Sequence, residues 1–175
     1  MKIIKYLIIL TFITSMSLAN NKNAYDFKFK DISGGELNLS QFKGKVLLVT
    51  NVASRCGFTN QYKGLQSIWE EYKNKNFVVI GVSSNDFNQE LKNKEEVKKF
   101  CEVNFGINFP MTDITNVKGD NAHPFYQWVK KTNGNSPKWN FYKILISKEG
   151  NVVETYSSLT KPESKKLKSA IEKLL

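Results

Sequence analysis

The sequence has few of the side chains from which metal sites are built. Its 175 residues include one histidine and two cysteines, Cys56 and Cys101. A tetrahedral structural zinc site takes four ligands, most of them cysteine or histidine. These few residues therefore do not provide the soft ligands that such a site requires.

A C-x-x-C pair is also absent. Thr59 stands where a dithiol oxidoreductase would have the second cysteine after Cys56. Disulfide exchange through two closely spaced cysteines is therefore disfavoured, and any redox chemistry must use Cys56 alone or with the distant Cys101.

Acidic residues are scarce relative to basic ones, which leaves a formal net charge of +10. The lysines are dispersed in short groups, and no zinc-finger spacing or aromatic RNA-reading motif accompanies them. The sequence therefore predicts a solvated lysine-rich surface with no nucleic-acid partner. Such a charge favours at most a weak attraction to anionic membrane surfaces.

Long hydrophobic runs are missing except at the start. Residues 1–19 combine two lysines, a short apolar stretch and the small-x-small sequence Ser17–Ala19. The apolar stretch is shorter than the ~20 residues that span a bilayer, so an uncleaved anchor is disfavoured. We therefore expect a signal peptide over residues 1–19 and an exported, periplasmic protein with one domain over residues 20–175.

The hydrophobic periodicity predicts strands that alternate with helices. Apolar runs predict central strands at 45–52 and 77–82, and alternating runs predict an N-terminal hairpin at 27–39. A glycine-containing turn at 148–151 predicts a second hairpin at 141–156. Helices are expected near 61–73, 94–104, 123–131 and 160–175, with candidate caps at Thr59 or Asn60, Asn121 and Thr160. This order is typical of an α/β fold with a central mixed sheet flanked by helices, as in thioredoxin-like proteins.

Cys56 lies where chemistry is expected in such a fold, at the carboxyl end of the first central strand. A helix follows it, and its unpaired N–H groups and positive dipole end favour a thiolate. Arg55, the only arginine of the chain, stands directly before it. The alternative is that Cys56 is a small buried hydrophobic residue.

Four separated segments resemble the glutathione peroxidase family in its bacterial, cysteine-containing form. They are Gly44–Thr59, Asn104–Pro110, Gly119–Pro124 and Lys138–Phe141. The resemblance covers nearly the whole chain from Phe27 to Leu175. It implies a thioredoxin-like fold and the reduction of hydrogen peroxide or organic hydroperoxides, without haem, flavin or metal.

The resemblance also implies roles for individual residues. Cys56 matches the peroxidatic nucleophile, and Trp139 and Asn140 match the indole and amide partners of its sulfur. Cys101 matches the resolving cysteine of family members that use thioredoxin. The expected reductant is therefore a thioredoxin-like protein or glutathione, and we expect a monomer.

One position departs from the family pattern. Asp86 stands where the family usually has a glutamine, and a carboxylate beside a thiolate would disfavour it by like-charge repulsion. Three explanations are open: a neighbouring cation neutralises Asp86, Gln89 takes over the role of the glutamine, or Asp86 helps to move a proton.

Two other functions remain open at this point. The chain could be an exported thiol–disulfide oxidoreductase, although the missing C-x-x-C weakens that interpretation. It could also be a non-enzymatic module held by a permanent Cys56–Cys101 disulfide. For Cys101 itself, the helical spacing of Val97, Phe100 and Cys101 also permits an ordinary core position.

Overall fold

A computed structural model describes residues 22–175, so the predicted signal peptide lies outside the described residues. The strands are β1 Lys28–Lys30, β2 Glu36–Asn38, β3 Val46–Val52, β4 Phe77–Ser83, β5 Met111–Thr112, β6 Lys143–Ile146 and β7 Val152–Tyr156. The helices are α1 Gln61–Tyr72, α2 Lys94–Phe105, α3 Pro124–Asn133 and α4 Lys165–Glu172. No helix in the range 22–175 has the length and apolar character needed to cross a bilayer.

The central sheet has five strands in the order β5-β4-β3-β6-β7. Strands β3, β4 and β5 run parallel, whereas β6 is antiparallel to β3 and β7 is antiparallel to β6. Strands β1 and β2 form the predicted N-terminal hairpin as a separate antiparallel pair. The mixed sheet flanked by helices is therefore the architecture that the sequence predicted.

Both faces of the sheet are buried, which explains the unbroken apolar runs of its central strands. Alternate residues of β3 point to opposite sides: Val46 and Leu48 face one core and Leu47 and Val49 face the other. Helices α1, α2 and α4 cover the first face, and α3 with the N-terminal hairpin covers the second. Cys56 and Cys101 both belong to the first core.

The predicted caps of α3 and α4 are wrong. Helix α3 is capped by the side chain of His123 rather than of Asn121. Helix α4 begins at Lys165 with Ser164 as its cap, so the sequence that resembled a capping box at Thr160 precedes the helix as a turn. In both cases several polar residues could cap, and packing of the apolar helix face selects which one does.

Candidate active site

Cys56 lies in a series of turns between β3 and α1. Its side chain is only 4% exposed. The sulfur accepts a hydrogen bond from the backbone N–H of Phe58, with an N–S distance of 3.4 Å. The loop itself therefore directs one hydrogen-bond donor at the sulfur.

The start of α1 differs from the expectation. Neither Thr59 nor Asn60 caps the helix with its side chain; Asn60 has a helical conformation and makes no side-chain cap bond. Instead, the N–H groups of Thr59 and Gln61 donate to the carbonyls of Cys56 and Phe58. Backbone hydrogen bonds therefore connect the turns after Cys56 to the start of α1. The hydrogen bond from the N–H of Phe58 connects the same turns to the sulfur of Cys56.

Strand β3 also holds the second predicted segment of the site. The side chain of Asn51 donates to the carbonyl of Trp139 at 3.1 Å, and the N–H of Phe141 donates to the carbonyl of Asn51 at 2.6 Å. Phe141 has a positive φ of 61°, which is uncommon for an aromatic residue and marks a sharp local turn. Trp139 and Asn140 are therefore fixed at the edge of the sheet from which the Cys56 loop emerges.

The two side chains of this segment differ in environment. Trp139 is 41% exposed and its ring packs against Phe87, with centroids 5.2 Å apart. Asn140 is fully buried and its amide donates to Oε1 of Gln89 at 2.9 Å. The sulfur of Cys56 thus accepts its hydrogen bond from the N–H of Phe58, whereas the amide of Asn140 donates to Gln89.

Asp86 points to another part of the chain. Its Oδ2 accepts hydrogen bonds from the backbone N–H groups of Val117 and Lys118, at 2.6 and 3.0 Å. The carboxylate therefore anchors the loop before α3. Gln89 of the same β4–α2 loop does reach the site: its side chain accepts from Asn140, and its backbone carbonyl accepts the N–H of Arg55 at 2.8 Å.

Cys101 lies in the third turn of α2 and is 1% exposed. Both cysteines are free thiols. Burial raises the pKa of the Cys101 thiol to about 12, and the nearby carboxylates of Glu90 and Glu102 act in the same direction. In this arrangement Cys101 is a protonated core residue that must become accessible before it can react.

Two buried ionisable residues near the site were not singled out from the sequence. Lys143 in β6 is fully buried, and its ammonium nitrogen lies 2.7 Å from both Oε1 of Gln61 and the carbonyl of Phe141. It therefore joins the first residue of α1 to the residue after Asn140. A signal was present, because Lys143 stands in an otherwise apolar strand between Tyr142 and Ile144.

Glu90 is the second such residue. It is 6% exposed, and its Oε1 accepts the backbone N–H groups of Ser54 and Leu91, each at 2.9 Å. Burial raises the pKa of its carboxyl group. No sequence pattern distinguishes Glu90 from the exposed glutamates, because its burial depends on the loop that folds over the Cys56 turn.

Two cavities adjoin the cysteine-bearing elements. One of about 500 Å³ is lined by Gly57, Phe58 and the exposed side chain of Leu159, among others. Another of about 400 Å³ is lined by Cys101 and Phe109, among others. Within the described part of the chain, no group of three or more His, Cys, Asp or Glu residues is arranged to hold a metal ion.

Comparison with known proteins places this geometry in a family. Residues 24–130 match the family described as Glutathione peroxidase. The chain is 44% identical over 156 residues to "Glutathione peroxidase-like peroxiredoxin gpx1" of Schizosaccharomyces pombe, covering 86% of this chain and 98% of that protein.

Solved structures agree with the sequence comparison. The crystal structure of Trgpx in apo form has a TM-score of 0.70 and 38% identity, covering 87% of this chain and 95% of that one. A thiol:disulfide interchange protein of the thioredoxin family from Chlorobium tepidum shares the fold, with a TM-score of 0.63 and 16% identity over 85% of this chain and 92% of that one. The predicted thioredoxin-like fold is confirmed. The chain belongs to the glutathione peroxidase family and is a peroxidase.

Proposed function

We propose that the protein reduces hydrogen peroxide and organic hydroperoxides in a two-cysteine cycle, with Cys56 as nucleophile and Cys101 as resolving residue. The observation that carries this proposal is the position of Cys56. Cys56 follows the carboxyl end of the central strand β3, and its sulfur accepts a hydrogen bond from the N–H of Phe58. It also belongs to the same core as Cys101.

In the first step the Cys56 thiolate attacks the terminal oxygen of the hydroperoxide. The O–O bond breaks, Cys56 becomes a sulfenic acid, and the leaving oxygen departs as an alcohol or water after it takes up a proton. The indole of Trp139 and the amide of Asn140 are the donors available for negative charge that develops on oxygen. The cavity beside Phe58 and Leu159 offers space for the organic part of a hydroperoxide.

In this proposal Gln89 takes the place of the glutamine that the family usually has at position 86. Asp86 is engaged with the N–H groups of Val117 and Lys118, so its charge is compensated away from the sulfur. The carbonyl oxygen of the Gln89 side chain accepts from Asn140, which leaves its NH₂ group free to donate toward the reacting atoms.

Replacing Gln89 by glutamate is therefore expected to slow peroxide reduction about tenfold, because a carboxylate donates nothing and disfavours a nearby thiolate. Stopped-flow measurement of the second-order rate constant with hydrogen peroxide tests this effect. Gln127→Glu is the matched control, since this exposed glutamine lies on α3 and bonds to the carbonyl of Asp120. If the Gln89→Glu protein reduced hydrogen peroxide as fast as the wild type, then Gln89 would not be the amide donor in this step.

In the second step Cys101 condenses with the sulfenic acid to form a disulfide. A disulfide requires Cα atoms about 4.4–6.8 Å apart and sulfurs in bonding distance. Cys101 is buried within a regular helix, so α2 must open locally for its sulfur to meet Cys56. Gly106 ends the helix one turn later in a left-handed conformation, which limits the segment that has to rearrange.

An external thiol then reduces the disulfide, and we propose that a thioredoxin-like dithiol protein is the main reductant. A disulfide between two protein cysteines is a substrate that a dithiol reduces in one exchange cycle. If residues 1–19 direct export, as their sequence indicates, this partner is a periplasmic protein and glutathione is the lesser donor.

Replacing Cys101 by serine separates the two steps. We expect one oxygen atom to be added to Cys56 by one equivalent of peroxide, and recycling by a thioredoxin-like protein to fall to about a hundredth or less of the wild-type rate. Peptide mass mapping after a single turnover measures the first result, and a coupled reductase assay measures the second. If the serine variant were recycled at the wild-type rate, Cys101 would have no resolving role.

A further inference from the structure

Four buried polar side chains from three parts of the chain meet beside the Cys56 loop. They are Ser54, Tyr62 of α1, Glu90 and Cys101 of α2, with exposures of 5%, 0%, 6% and 1%. The N–H of Ser54 is bound to Glu90 at 2.9 Å, and the ring of Tyr62 packs on Phe105 of α2 at 5.1 Å between centroids. The group thus links the turn that carries Cys56 to the helix that carries Cys101.

Three atoms of this group lack hydrogen-bond partners: the hydroxyls of Ser54 and Tyr62 and Oε2 of Glu90. An unpaired buried polar group costs about 1–3 kcal/mol, so three at one place call for an explanation. No aligned bond joins these three atoms at rest, but Cys101 and Ser54 lie close enough to change the pKa of Tyr62, and Ser54 lies close enough to change the pKa of Glu90. Tyr62 neighbours both Cys101 and Ser54, and Ser54 neighbours Glu90.

We propose that Glu90 accepts the proton of Cys101 in the resolving step and that the hydroxyls of Tyr62 and Ser54 carry it. The inference rests on the proposed resolving role of Cys101. The Cys101 S–H bond breaks and its electron pair forms the bond to the sulfur of Cys56. The S–O bond of the sulfenic acid breaks, and the departing hydroxide takes up the proton that Glu90 then holds and leaves as water, so that Glu90 is ionised again. No further oxidant or reductant is required.

The need for a proton acceptor follows from the burial of Cys101. A thiol with a pKa of about 12 is ionised to only about one part in 10⁵ at pH 7. Glu90 is suited to accept the proton, because burial raises its pKa, although the hydrogen bonds from Ser54 and Leu91 and the charge of Arg55 oppose this. Glu102, on the same helix as Cys101, raises the pKa of that thiol and is exposed to solvent. Loss of the proton also leaves a charge in an apolar core, which favours the opening of α2.

The test is stopped-flow oxidation of the reduced protein, in which sulfenic acid formation and disulfide formation are followed as successive phases. In Glu90→Gln the amide oxygen still accepts the N–H groups of Ser54 and Leu91, so the Cys56 loop is retained. In Tyr62→Phe the ring packing is retained. We expect an unchanged first phase in both variants and a second phase slower by about 10- to 100-fold at pH 7.

The direction of the change distinguishes proton transfer from a simple charge effect. Because the charge of Glu90 raises the pKa of Cys101, its removal would by electrostatics alone make the second phase faster. Glu102→Gln is the matched control, and its second phase should not be slowed. In Glu90→Gln, the rate of the second phase should also increase with pH until Cys101 itself ionises. In the wild type, this rate should become constant at a lower pH.

Three results would overturn the proposal. A second phase in Glu90→Gln that is as fast as in the wild type, or faster, would exclude proton transfer to Glu90. Equal slowing of both phases would show that Glu90 acts only by holding the Cys56 loop. If mass mapping of the wild type found no Cys56–Cys101 disulfide, the resolving role of Cys101 would fail first, and the inference with it.

Discussion

Replacing Cys56 by serine is expected to lower the rate of hydroperoxide reduction by about a thousandfold or more. A serine hydroxyl stays protonated at neutral pH, whereas the nucleophile must present an anionic, polarisable atom to the O–O bond. The N–H of Phe58 can bond to either oxygen or sulfur, so the loop geometry should survive the change. The measurement is steady-state consumption of hydrogen peroxide and of an organic hydroperoxide, with a thioredoxin system as reductant.

The Cys101→Ser protein is the control for this result, because it also removes one thiol from the same core. It should keep the rapid first phase of oxidation and lose only the recycling. If Cys56→Ser kept wild-type turnover, then Cys56 would not be the residue that attacks the peroxide.

The sequence predicted the elements whose patterns are set by burial on the sheet. The apolar runs of β3 and β4 result from burial on both faces of the sheet, and the observed bounds of both strands lie within one residue of those predicted. The two-residue strand β5 was not predicted. Met111 and Thr112 are too few for a periodicity, and only pairing with Gly81 and Val82 makes them a strand.

The site was predictable only in part, for a similar reason. Cys56, Trp139 and Asn140 stand in motifs that the family resemblance identifies. The orientation of Asp86 toward the α3 loop and the burial of Glu90 depend on long-range contacts, to Val117 and to Ser54, that no local pattern encodes. That Gln89, and not the residue at position 86, contacts Asn140 could therefore be learned only from the tertiary structure.

Lys143, which lies between Gln61 and Phe141, makes the free energy of unfolding depend on pH. Burial lowers the pKa of its side chain from the ordinary 10.5 to about 7. The unfolded chain therefore binds this proton more tightly than the folded chain does. Stability consequently rises with pH between about 7 and 10.5, and below pH 7, where both states are protonated, the full cost of burying the charge is present.

Replacing Lys143 by methionine should remove this dependence. The difference in unfolding free energy between wild type and Lys143→Met is expected to change by about 4 kcal/mol in favour of the wild type between pH 6 and pH 10. Urea unfolding of the reduced proteins at several pH values measures it, and the comparison cancels groups common to both. Lys63→Met, at an exposed position of α1, should show no such change.

If the difference in unfolding free energy between wild type and Lys143→Met stayed constant with pH, Lys143 would be charged in the folded protein up to its ordinary pKa. The two carbonyls that it binds, of Gln61 and Phe141, would then stabilise the ammonium ion enough to offset its burial.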